Sequence, residues 1–188
     1  MTGFIKGALI FAIPVIAYGT GLLVFAAIGD AGEVETQLND PRHAIKHRTT
    51  LWKRPLGYTV GDVKEFLSAL NDEGCAALLR ALRADLFFPL LYGAGYAVAA
   101  WISAGYGNTR ALVAGLLAAA GLTVVSDWTE NGALLRLFGS DPALLKSRDL
   151  TFGLVATASA ATSSKFVGLF TSTIFLILNA ASAIRRSG

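Results

Sequence analysis

The sequence predicts an all-α membrane protein: a four-transmembrane-helix antiparallel bundle with an amphipathic interfacial helix in its first loop. Three observations carry this. Of 188 residues, 54% are hydrophobic and only 15% charged, against about 25% charged in an ordinary soluble domain. The mean hydropathy is +0.55. The apolar residues also fall in long blocks rather than in short periodic stripes, as they do where lipid is the solvent. Four blocks are long enough to span, at about 4–28, 84–104, 110–138 and 150–184. No repeat or low-complexity linker separates them, so a single membrane domain over 1–188 is expected.

The first block runs from Phe4 to Ile28, with Lys6 near its start and Asp30 just beyond its end. Its charged start and Val24-Phe25-Ala26 have the form of a signal peptide, but the block is long for a signal h-region, and a retained span is expected. Pro14 is placed to kink it. The long loop over 30–83 opens with the turn signal Asp40-Pro41. A basic run follows, comprising His43, Lys46, His47, Arg48, Lys53 and Arg54, with Trp52 and Tyr58 within it or beside it. Basic and aromatic residues together suit the head-group zone. Thr59 then has the form of a helix N-cap, with Asp62 three residues on. Val60, Val63, Phe66, Leu67 and Leu70 recur at helical spacing, with Lys64, Glu65 and Asp72 on the other side. Such a helix lies on the membrane surface or caps the bundle. Asn71-Asp72-Glu73-Gly74 breaks it.

The turn Gly105-Tyr106-Gly107-Asn108 is too short to join anything but antiparallel neighbours. Gly139-Ser140-Asp141-Pro142 ends the third span, and Arg185-Arg186 closes the fourth. The two loops on one side, with Arg136 at the end of the third block, hold eleven Lys/Arg. The positive-inside rule therefore puts those loops in the cytoplasm of a bacterial inner membrane, with both termini outside.

The most informative residues are charges inside these blocks. Each costs on the order of 2.5–3.5 kcal/mol on insertion scales. The third block carries Asp127, Glu130 and Asn131, whose i, i+3, i+4 spacing sets them on one helix face. Asp127 lies about 16 Å from the end of a straight helix finishing at Phe138. Lys165 lies about 22 Å beyond Leu150, with Thr162, Ser172 and Asn179 near its face. Asp85 starts the second block, and Pro89, Tyr92 and Tyr96 follow on its side. Helix direction biases Asp85, Asp127, Glu130 and Lys165 toward one membrane face. They predict a polar pocket, with Asp127, Glu130 and Lys165 at its centre and Asp85, Asn131, Tyr92 and Tyr96 in support. The competing structural reading is an internal ion network that fixes helix register without a ligand. Two carboxylates one turn apart are hard to neutralise with one lysine, which weighs against a purely structural role.

Other chemistries find less support. A basic pI of about 9.2 suits anionic head groups better than nucleic acid in so apolar a chain, so no nucleic-acid partner is expected. The one cysteine, Cys75, excludes an intrachain disulfide or a CxxC site. His43 and His47 have metal-ligand spacing, but Arg42, Lys46 and Arg48 beside them repel a cation, so no metal site is expected. Ser163 and Ser164 have no histidine partner in the membrane. No phosphate- or dinucleotide-binding motif appears, and no cofactor is expected. Gly3 with Gly7, and Ala17 with Gly21, have the small-residue spacing that lets helices approach closely.

Three segments carry a resemblance: 84–93 (ADLFFPLLYG), 127–131 (DWTEN) and the lysine of the last span, Lys165. With the Tyr58-Thr59 start of the loop helix, they resemble a group of small bacterial four-helix membrane proteins of uncharacterised function. The resemblance covers about residues 55–180, without the basic stretch from Arg42 to Arg54. It implies a four-helix fold with a shared buried acidic cluster, and no activity.

Three functional classes fit the residues. The first is a membrane protein that binds a lipid-like or small polar ligand. The second is an accessory or structural subunit of a larger membrane complex. The third is a lipid-modifying enzyme with Asp127 or Glu130 as acid/base and Lys165 tuning its pKa. The partners implied are membrane lipids and, in the second class, other membrane subunits.

Overall fold

A computed structural model of the chain describes residues 3–28, 30–42, 48–139, 141–146 and 149–186. His43 and His47 lie outside these. Among the described residues there are seven α-helices. They are α1 (Gly3–Ile28), α2 (Ala31–Leu38), α3 (Val60–Ser68), α4 (Asp72–Ala84), α5 (Phe88–Gly105), α6 (Arg110–Phe138) and α7 (Phe152–Arg185). Short 3-10 turns occupy Leu51–Lys53 and Pro142–Leu144. Four stretches are long and apolar enough to cross a membrane: α1, α4 continuing into α5, α6 and α7. The protein is an all-α, multi-pass integral membrane protein.

The helices have readable causes. Thr59 and Asp62 form a reciprocal capping box on α3, in which the Thr59 side chain accepts from Asp62 N and Asp62 accepts from Thr59 N. Two N-terminal donors are satisfied at once. The break after α3 doubles as the start of α4, because the Asn71 side chain accepts from Gly74 N. The long loop thus holds three helices where the hydrophobic pattern alone points to one. Of these, α2 is too short to show a convincing period. It is fixed by tertiary contacts instead: Gln37 Nε2 donates to Asn71 Oδ1 at 2.8 Å, and Asn71 N donates to Gln37 Oε1 at 2.9 Å. Helix α1 continues through Pro14.

The helices form two compact units. Unit 1 comprises Met1–Leu22, Phe88–Val125 and Lys165–Gly188. Its core gathers Ile10, Tyr92, Tyr96, Ala99, Leu116 and Leu176. Tyr92 packs edge-on against Phe88, with ring centroids 5.2 Å apart. Helices α6 and α7 touch at Gly168, where a Cβ would come within 2.5 Å of Thr123 Oγ1 and 2.9 Å of its backbone nitrogen. The turn between α5 and α6 is pinned by Asn108, whose Nδ2 donates to the Asn179 carbonyl at 2.8 Å.

The outer surface of unit 1 is apolar: Phe4, Phe170 and Trp101 are 75%, 71% and 77% exposed. Its charged residues are Lys6, Arg110, Lys165, Arg185 and Arg186, and it contains no Asp or Glu. The segments of α1, α5, α6 and α7 within it rise about 30, 27, 24 and 31 Å at 1.5 Å per residue. Those lengths match the ~30 Å of bilayer hydrocarbon.

Unit 2 comprises Leu23–Phe87 and Ser126–Ser164. Its core joins Val34, Leu51, Val63, Phe66, Leu78 and Leu134, with further residues from α4, α6 and α7. All thirteen acidic residues of the chain belong to it. Its surface carries ion pairs, including Lys53 with Glu35, and Arg80 with Asp30 at 2.6 Å. Helix α3 buries Val63, Phe66 and Leu67 in this core and leaves Lys64 exposed.

Candidate functional site

Helix α6 carries Asp127, Glu130 and Asn131 on one face, and all three are buried, at 2%, 0% and 0% exposure. Asn131 and Glu130 are tied into unit 2 by hydrogen bonds. Asn131 Nδ2 donates to Asp85 Oδ2 at 3.0 Å. Asp85 does not start the second span, as the hydrophobic pattern suggests. It is the C-cap of α4, in the turn before α5. The physical reason is the end of α4: Leu86 N and Phe87 N turn back to the carbonyls of Arg83 and Ala84. Such a turn leaves carbonyls in need of donors, and Trp128 Nε1 donates to Leu86 O at 2.9 Å. Asp85 and Asn131 are therefore brought together, with Trp128 one helical turn before Asn131.

Glu130 faces α7. Thr162 Oγ1 donates to Glu130 Oε1 at 2.6 Å, and the same hydroxyl lies 2.9 Å from Ala158 O. Its one hydrogen has two acceptors in reach, and a carboxylate makes the stronger bond.

Tyr58 completes the arrangement from the loop. Its backbone nitrogen donates to Ser159 Oγ at 2.8 Å. The preceding Gly57 has φ +78°, and a Cβ there would fall 2.3 Å from Ser159 Oγ. Glycine is required both by the left-handed backbone and by the close approach. Burial is the largest influence on the Tyr58 hydroxyl and pushes its pKa well up, and the charge of Glu130 adds to this. Thr162 and Arg54 act in the opposite direction. Among the described residues, Tyr58 Oη is buried with only a loose hydrogen bond, to Thr162, and Asn131 Oδ1 is buried with no well-formed one.

Arg54 is buried beside this segment, where the basic run of the loop suggests head-group exposure. Its Nη2 donates to Thr49 O at 3.0 Å, and its Nη1 lies 3.6 Å from Asp62 Oδ1. Burial lowers its pKa, while Asp62, Glu65 and Tyr58 oppose that shift. An arginine remains charged through such a change.

The other expected site residues belong to unit 1. Tyr92 and Tyr96 lie in its core, Tyr92 between Phe88 and Tyr18. Lys165 is buried at 8% exposure, three residues beyond Thr162 on α7. Asp127, Glu130 and Lys165 are thus all buried charges. Ser159 and Tyr58 are additions that spacing does not reveal, since their contact joins positions 101 apart in sequence. Thr162 was visible as a neighbour of Lys165, but not as a partner of Glu130.

Next to this cluster, an open groove of about 510 Å³ is lined by Tyr58, Val60, Phe152, Val155, Ala156 and Ser159. It is apolar except for Tyr58, Ser159 and neighbouring Thr59. Phe152 is 76% exposed at its rim. Among the described residues, no group of three or more His, Cys, Asp or Glu is arranged to hold a metal ion. No family model matches the sequence, and no curated protein or solved structure matches it either.

Proposed function

We propose that this membrane protein binds a lipid-like amphiphile in the groove between the start of α3 and the start of α7. One observation carries the reading. The groove is apolar along Val60, Phe152, Val155 and Ala156 and polar where Thr59 and Ser159 line it. An apolar channel with hydroxyl-bearing side chains at one part of its wall fits a molecule with a tail and a polar, hydrogen-bonding head. The segments of unit 1 have the length and the lack of acidic residues that suit hydrocarbon.

Native mass spectrometry of the protein, extracted gently from its own membrane, tests this. Wild type should carry a stoichiometric lipid-sized adduct. Ala156→Trp, which fills the groove from an exposed position, should lose it, while Leu144→Trp, outside the groove, should keep it. A bare wild-type chain, or an adduct that survives Ala156→Trp, contradicts the proposal.

A second observation favours the accessory-subunit reading. Unit 1 has an open groove of about 340 Å³ on α5 and α6, lined by Pro89, Gly93, Ala97, Leu117, Gly121 and Val124. Small residues of this kind admit another transmembrane helix. That reading requires co-purification with a larger assembly in mild detergent, and free monomer at native expression counts against it.

A further inference from the structure

We propose that the end of unit 1 formed by the start of α1, the α5–α6 turn and the end of α7 is a binding surface for the phosphate head groups of anionic phospholipids. Four of the five basic residues of unit 1 lie in these segments: Lys6, Arg110, Arg185 and Arg186. The fold gathers them. A Cβ on Gly7 would lie 2.7 Å from Ile184 Cγ1, so α1 and α7 are in close contact beside Lys6 and Arg185. Lys6 Nζ sits over the Tyr106 ring, 5.1 Å from its centroid. Arg186 Nη1 lies 3.6 Å from the place a Cβ on Gly107 would take. Lys6 and Arg186 therefore meet the same two-residue stretch, Tyr106-Gly107, and Arg110 follows three residues later. The turn itself is held by the Asn108–Asn179 hydrogen bond.

Position and charge together select the partner. Arg110, Arg185 and Arg186 are exposed, and unit 1 has no acidic side chain of its own to neutralise them. The surface sits at the ends of helices whose sides are apolar, with Trp101 exposed on α5 nearby in sequence. Tryptophan and tyrosine at such ends mark the head-group level. Guanidinium groups bind phosphate oxygens through paired N–H donors. A zwitterionic head group offsets its own phosphate with a cation, so anionic lipids are preferred at this surface. This surface is independent of the amphiphile groove in unit 2.

The test uses the full chain in nanodiscs of equal parts phosphatidylglycerol and phosphatidylcholine, with retained lipids counted by native mass spectrometry. Wild type should retain phosphatidylglycerol in preference to phosphatidylcholine. The triple variant R110Q/R185Q/R186Q should lose most of that preference, by about fivefold for each charge removed. The triple lysine variant R110K/R185K/R186K should restore most of it. K64Q/R83Q/K146Q, which removes three exposed charges from unit 2, should leave it unchanged. Equal retention of both lipids by wild type overturns the proposal. So does an equal loss in the unit 2 triple variant, which would make the effect one of total charge.

Discussion

Replacing Thr162 by valine removes one hydroxyl from the centre of the site and changes little in shape. In the structure that hydroxyl donates to the fully buried Glu130 at 2.6 Å. A hydrogen bond to a charged group contributes about 1.5–3 kcal/mol. For a chain of this length each kcal/mol moves the midpoint of thermal unfolding by roughly 2–4 °C. Thr162→Val should therefore unfold about 3–12 °C below wild type in the same detergent. The natural control is Thr157→Val on the same helix. Its exposed hydroxyl donates only to the Gly153 carbonyl, and exposed changes of this kind stay within about 0.5 kcal/mol. The pairing is checked by repeating Thr162→Val in a Glu130→Gln background. If Glu130 is the partner, the cost there falls by about 0.5–3 kcal/mol. A Thr162→Val protein that unfolds together with Thr157→Val would refute the assignment of this contact.

Three further outcomes follow from the same geometry. Tyr58 has a folded-state pKa raised above the unfolded value of about 10. Its contribution is complete below that value and is lost as pH climbs toward the folded pKa, so wild type should lose stability more steeply than Tyr58→Phe between about pH 9.5 and 11 in thermal scans. Equal slopes would remove Tyr58 from the buried site. Gly57→Ala forces a left-handed backbone on a residue with a Cβ, at about 1–2 kcal/mol, and crowds Ser159; a lowered unfolding midpoint is expected, and an unchanged one argues against the φ of +78°. Gly168→Ala gains about 1 kcal/mol in helix propensity, but it must part α6 from α7 at Thr123, where overpacking costs about 1–3 kcal/mol. Net destabilisation is expected, and stabilisation would place the two helices farther apart.

Much of the architecture was legible because it rests on local rules. Apolar block length points to four long apolar helices, since lipid demands about twenty consecutive apolar positions, although the second stretch begins at Asp72 rather than near Ala84. The start of α3 was legible for a different reason, because a capping box is a contact between residues three apart. The i, i+3, i+4 rule likewise sets Asp127, Glu130 and Asn131 on one buried face. What was hidden depends on contacts far apart in sequence. Helix α2 is held by Gln37 against Asn71, 34 positions away. Asp85 reads as the start of a span because the residues after it are apolar, yet the carbonyls of Arg83 and Ala84 draw the chain into a turn there. Arg54 reads as a head-group residue within a basic run, but Asp62 and the Thr49 carbonyl hold it inside. Tyr58 enters the site only because Gly57 lets the loop close on Ser159, and no spacing rule connects those positions.

Site-specific photo-cross-linking in native membranes tests the central claim most directly. A photoreactive side chain is placed at Ala156 in the groove, at Ala160 on the same helix, and at Leu144, an exposed position of unit 2 outside it. A lipid-mass adduct is expected at 156 and 160 and none at 144. Cross-links from 156 to another polypeptide, or lipid adducts no more frequent at 156 than at 144, would contradict it.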